Sequence, residues 1–122
     1  MVFTMTVKLK RVYEAAAKND GKRILVDRVW PRGVSKEDAN LDEWFKEIGP
    51  SKDLRQWFDH DPDKFDEFKK KYHKELQDGE QKASYDKLKE IQKENSTITL
   101  VYAAKDEENN QAQVLKEMLE NN

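Results

Sequence analysis

Strict alternation opens the chain. Phe3, Met5, Val7 and Leu9 fall on one side of an extended segment, and Thr4, Thr6 and Lys8 on the other, the period-two pattern of a half-buried strand. A helical turn is expected at Glu14-Ala15-Ala16-Ala17, and Asn19-Asp20-Gly21 reads as a turn. Arg23-Ile24-Leu25-Val26 is apolar enough for a buried strand. It runs into Asp27-Arg28-Val29-Trp30, where Pro31 stops it and Gly33 permits a tight loop.

The period then changes. Leu41, Trp44, Phe45 and Ile48 recur at helical spacing behind the capping pair Asn40 and Glu43, and Gly49-Pro50 ends that predicted helix. Ser51 is placed to cap the next, which carries Leu54, Trp57 and Phe58. Asp61-Pro62 supplies an N-cap acceptor and then proline at the first helical position. Phe65, Phe68, Tyr72 and Leu76 follow until Gly79, and Tyr85, Leu88 and Ile91 define one more helix. Trp44, Phe45, Trp57, Phe58, Phe65, Phe68 and Tyr72 are expected to share one aromatic core. The β-branched, apolar run from Thr97 to Ala104 is the clearest strand, and Val114, Leu115, Met118 and Leu119 mark a closing helix. This order predicts a single α/β domain over residues 1–122, a small, largely parallel sheet of few strands covered by several helices.

Composition narrows the function classes. The 122 residues include 23 basic and 25 acidic side chains, a net charge of −2, and no cysteine. Disulfides, thiolate nucleophiles and cysteine-bound zinc are thereby excluded. No stretch is long enough to span a bilayer and the N-terminus lacks a signal peptide's apolar run, so a cytoplasmic chain without a membrane partner is expected. Lys69-Lys70-Lys71, Lys87, Lys89 and Lys93 are interleaved with acids on helical faces, which makes a nucleic-acid groove unexpected. Asp59-His60-Asp61-Pro62-Asp63 has aspartates at alternate positions, but Lys64 stands where a calcium loop needs glycine and Lys70 where it needs glutamate. With two histidines and no helical His-x-x-x-His spacing, no metal site is expected.

The candidate chemistry gathers where strands end. In open α/β sheets ligands bind in the crevice beyond the carboxyl ends of the strands. One predicted end carries Asp27, Arg28, Trp30 and Arg32, and the other Lys105 and Asp106. Two guanidiniums four residues apart beside a glycine can clamp a phosphate or carboxylate through forked donors. Equally, Arg28 can be consumed by an internal ion pair with Asp27 or Asp106, with Trp30 a core residue. His60 stands just ahead of the helix opened by Asp61-Pro62, where it could exchange a proton near pH 7 or simply pack at the helix start.

Asp27-Arg28-Val29-Trp30-Pro31-Arg32-Gly33 resembles the motif of the YeaO-like family of bacterial proteins, domain of unknown function 488. The resemblance continues through Trp44, Pro50-Ser51, Leu54-Arg55, Trp57-Phe58, His60-Asp61-Pro62, Phe68, Tyr72 and Glu75-Leu76. It ends at Leu100-Val101-Tyr102-Ala103-Ala104-Lys105-Asp106 and Asn110-Gln111-Ala112, covering nearly the whole chain. Val29 stands where the family's leucine is expected. The resemblance implies a small α/β domain and supplies no catalytic residue and no cofactor.

Three functions fit these residues. The first is binding of a small anion (phosphate, carboxylate or nucleotide) by Arg28, Arg32, Arg55 and Lys105, with Trp30 stacking a ring. The second is a small hydrolase or transferase that adds His60 or Asp106 as acid/base. The third is a structural or interaction protein without a ligand. What separates the first two is whether His60 faces the cleft of Arg28 and Asp106.

Overall fold

The computed structural model describes residues 6–121; Phe3 and Met5 of the predicted first strand lie outside them. Among the described residues four strands, β1 (Thr6–Arg11), β2 (Lys22–Leu25), β3 (Glu43–Trp44) and β4 (Thr97–Tyr102), form one sheet in the order β1-β4-β2-β3. Every pairing is parallel. Among the described residues five α-helices accompany it: α1 (Lys36–Ala39), α2 (Lys52–Phe58), α3 (Phe65–Glu75), α4 (Gly79–Glu94) and α5 (Gln111–Glu120). The α/β class and the parallel sheet read from the sequence are what the chain adopts.

Strand periodicity sorts the two faces of the sheet. Val7 and Leu9, Ile24 and Val26, and Ile98, Leu100 and Tyr102 join the larger core with side chains of α2 to α5. In that core the rings of Phe58, Phe65, Phe68 and Tyr72 pack against one another, with contacting centroids 4.4 to 6.2 Å apart. The opposite face is thinner: Val12, Leu25, Ala39 and Val101 make a small cluster edged by Trp30, Val34, Leu41 and Ala103.

Polar groups complete that thin face. The link from β1 to β2 is short for a parallel crossover and holds only a 3-10 turn at Lys18–Asp20, where a helical turn was expected slightly earlier. Gly21 lies so close to β4 that a Cβ would stand 2.1 Å from the Thr97 carbonyl oxygen, and its φ of 65° is in the left-handed half of the map. This crossing buries Asp20 against the sheet. Its carboxylate accepts from Arg23 at 2.6 Å and Lys10 at 2.9 Å, and its carbonyl accepts from the Thr99 hydroxyl at 2.7 Å. Burial pushes the Asp20 carboxyl up, but the Ala17 N–H, Lys10 and Arg23 together outweigh it and hold it at about 2.

The segment Leu41–Ile48 corrects the sequence reading. Asn40 is not a helix start; it closes α1, which Ser35 opens, with a φ of 46°. Glu43 and Trp44 then pair with Ile24 and Leu25 as β3, and a 3-10 turn at Lys46–Ile48 follows. The sheet edge supplies partners that a helix would forgo: the Asp42 N–H donates to the Arg23 carbonyl and the Phe45 N–H to that of Leu25. Trp44 is consequently exposed at the sheet edge, outside the aromatic core. Similarly, α3 ends at Glu75, and Gly79 begins α4.

Candidate functional site

Side-by-side pairing of β2 and β4 sets the site. Ile24 lies opposite Leu100 and Leu25 opposite Val101, and the Val26 N–H extends the ladder to the Val101 carbonyl. Both strands therefore end at the same edge of the sheet, and the polar segments after them diverge around one cleft of about 790 Å³. Arg28, Trp30 and Arg32 line it from the β2 side, and Lys105 and Asp106 from the β4 side. Arg55 and Phe58 reach it from α2, His60 from the following loop, and Gln111 from the start of α5. Every candidate residue from the sequence lines this cleft, and His60 shares it with Arg28 and Asp106.

Arg28 is built into the wall. Its Nε donates to the carbonyls of Gly49 (3.0 Å) and Pro50 (2.9 Å). Gly49 is required for that approach, since a Cβ there would meet Arg28 Cγ at 2.7 Å. Neither Asp27 nor Asp106 forms an ion pair with Arg28 among the described residues. The same holds for the exposed Arg32, Arg55 and Lys105. Behind this wall Ser51 caps α2, and Glu75 accepts from the Ser51 N–H and hydroxyl and from Gln81. The Tyr72 hydroxyl, its pKa raised well above the usual value by burial, donates to the Ile48 carbonyl at 2.5 Å.

Trp30 is half-buried. Its Nε1 donates to the Val34 carbonyl at 2.7 Å, and its ring meets Trp44 edge-on at 5.3 Å. Trp44 in turn donates to the Asp27 carbonyl at 2.7 Å. His60 is exposed, with a φ of 55° beside Asp59 at 46°, and Asp61 caps the helical start after it through the Asp63 N–H. Asp106 accepts from the Asn109 side chain and from the N–H groups of Glu108 and Asn109. These bonds, with a smaller contribution from His60, hold its carboxyl below the usual range. Asp106 is thus kept ionised and committed to shaping its own loop.

Asp27 is different. It is half-buried, and its carboxylate accepts from the Ala103 N–H at 3.0 Å and from Gln111 Nε2. Withdrawal from water raises its carboxyl to about 6, against the lowering effects of those two bonds and of Arg55. Among the described residues no group of three or more histidine, aspartate and glutamate side chains is arranged to hold a metal, and no helix is long and apolar enough to cross a membrane.

Residues 6–122 match the family model described as "Inactive DUF488-N3 subclade". The chain belongs to this DUF488 family. An uncharacterized protein of Mycobacterium tuberculosis is 40% identical over 119 residues, covering 98% of both chains. The uncharacterized protein YeaO of Escherichia coli is 44% identical over 115 residues, 94% of this chain and 97% of the relative. No solved structure matches.

Two residues of this DUF488 cleft have no binding role of their own in the sequence reading. Asp27 stands there at a strand end and as a neutralising partner for Arg28, and Gln111 only as part of the family pattern. The signal for Asp27 is its position, a carboxylate directly after the apolar run Ile24-Leu25-Val26. Gln111 is 84 residues away in sequence, and only the fold joins the two.

Proposed function

We propose that this DUF488 protein binds a small anionic ligand in the cleft at the carboxyl ends of β2 and β4. One observation carries the reading: Arg28, Arg32, Arg55 and Lys105 line a single cleft, and none has a carboxylate partner within 4 Å among the described residues. On the thin face, by contrast, Lys10 and Arg23 are neutralised by Asp20. Guanidiniums left without a carboxylate at the mouth of a crevice are suited to a phosphate or carboxylate from solution. Binding rather than turnover is favoured by two further points. Asp106, a sequence candidate for acid/base work, is tied down in its loop, and the matching subclade is described as inactive.

Thermal unfolding tests this. Sulfate or phosphate, compared with chloride at equal ionic strength, is expected to raise Tm. At a hundred times Kd the gain corresponds to about 2.7 kcal/mol. Arg32→Ala combined with Arg55→Ala removes that gain while leaving Tm in chloride unchanged. Melting that ignores these anions in the wild type overturns the reading.

A further inference from the structure

The cleft is chemically divided, and the division specifies more than an anion. Its exposed mouth is donor-rich, with Arg32, Arg55 and Lys105. Its inner part is acceptor-rich. Asp27 spends one bond on Ala103 and one on Gln111, so lone pairs remain on its carboxylate, and among the described residues no hydrogen bond to Gln111 Oε1 is formed. A carboxylate at this depth repels an anion, so the charged group of a ligand belongs at the mouth, and a hydroxyl or amino donor belongs on Asp27. The lining also includes the aromatic side chains of Phe58 and Trp30. A cleft of about 790 Å³ is of the size that encloses organic ligands, for which about 300–1,000 Å³ is usual.

Building on the anion-binding reading, we infer that the ligand is a nucleoside phosphate. Its phosphate lies against Arg32, Arg55 and Lys105, its flat ring beside Trp30 and Phe58, and a ribose hydroxyl or base amino group on Asp27 and Gln111. A carboxylate past a strand end taking ribose hydroxyls is an arrangement that parallel sheets use repeatedly. Inorganic phosphate alone leaves the inner acceptors and the aromatic lining without a role.

Calorimetric titration of the full chain decides between them. The probes are the four ribonucleoside 5′-monophosphates, their nucleosides, ribose 5-phosphate and inorganic phosphate, at one pH and ionic strength. At least one nucleotide is expected to bind about tenfold or more tightly than phosphate, ribose 5-phosphate and its own nucleoside. Asp27→Asn should remove most of that advantage while leaving phosphate binding equal or stronger, because the buried negative charge is gone. Gln111→Ala serves the same purpose should Asp27→Asn fail to fold. If phosphate or ribose 5-phosphate binds as tightly as every nucleotide, the nucleotide inference fails and the anion site stands. An unchanged nucleotide advantage in a folded Asp27 or Gln111 variant also overturns the inference. If none of the phosphates binds, both readings fall.

Discussion

Asp20 and Asp27 are two carboxylates drawn into the same sheet, and the protein treats them in opposite ways. Asp20 sits on the thin face with a side chain 3% exposed, against two cations and a backbone N–H, and its carboxyl is held at about 2. Asp27 stands beyond the end of β2 with one N–H and one amide as direct partners, and its carboxyl rises to about 6. Cations are nearby in both places. On the thin face they close on the acid, whereas in the cleft Arg28 turns its Nε to the Gly49 and Pro50 carbonyls. The first arrangement completes a fold. The second leaves charge of both signs available in a cavity, which is what a binding site needs and a core does not.

The comparison breaks most readily at Asp20. Asp20→Ala leaves Arg23, itself 3% exposed, without its charge partner, and is expected to destabilise by about 3–5 kcal/mol. Chemical denaturation at pH 7 measures it; a loss below 1 kcal/mol, on the order of an ordinary surface change, would show that the network is ornamental. At Asp27 the sign reverses. An ionised carboxylate with a raised folded pKa works against the folded state, so Asp27→Asn is expected to stabilise at pH 7 by about 1–2 kcal/mol. The pH dependence follows from the same shifts. Asp20, depressed when folded, contributes stability that is present above about pH 4 and lost as pH falls through about 2. Asp27, elevated when folded, imposes a cost that is full above about pH 7 and relieved as pH falls through about 6. Asp27→Asn should therefore lose its advantage over the wild type by about pH 4, near the unfolded carboxylate value; an advantage independent of pH contradicts the assignment. The smallest effect is at the mouth, where Arg32→Ala and Arg55→Ala should each change stability in chloride by no more than about 0.5 kcal/mol.

Much of this architecture was legible because it is local. Alternation in β1 and the apolar run of β4 give their faces directly, and Ser51 and Asp61-Pro62 mark helix starts that the chain uses. Leu41, Trp44, Phe45 and Ile48 misled because helical spacing over eight residues also fits a strand followed by a 3-10 turn. What decided between them was hydrogen bonding to β2, which lies elsewhere in sequence. The cleft was legible in Arg28, Arg32 and Lys105, which follow strand ends, while Arg55 comes from α2. The fate of those cations was not, since Arg28 bonds to carbonyls 21 and 22 residues away rather than to a carboxylate. Side-chain partners set by tertiary approach, as with Asp27 and Gln111, leave no periodic trace.

The most direct test follows the Asp27 carboxyl itself by carbon NMR through a pH titration, first in chloride and then in sulfate at equal ionic strength. Sulfate keeps its charge throughout the range, so any change belongs to the protein. The account predicts a midpoint at about 6 in chloride, moved higher in sulfate as an anion settles among Arg32, Arg55 and Lys105. A midpoint at or below about 4, the value of an ordinary aspartate, and indifferent to sulfate would contradict it.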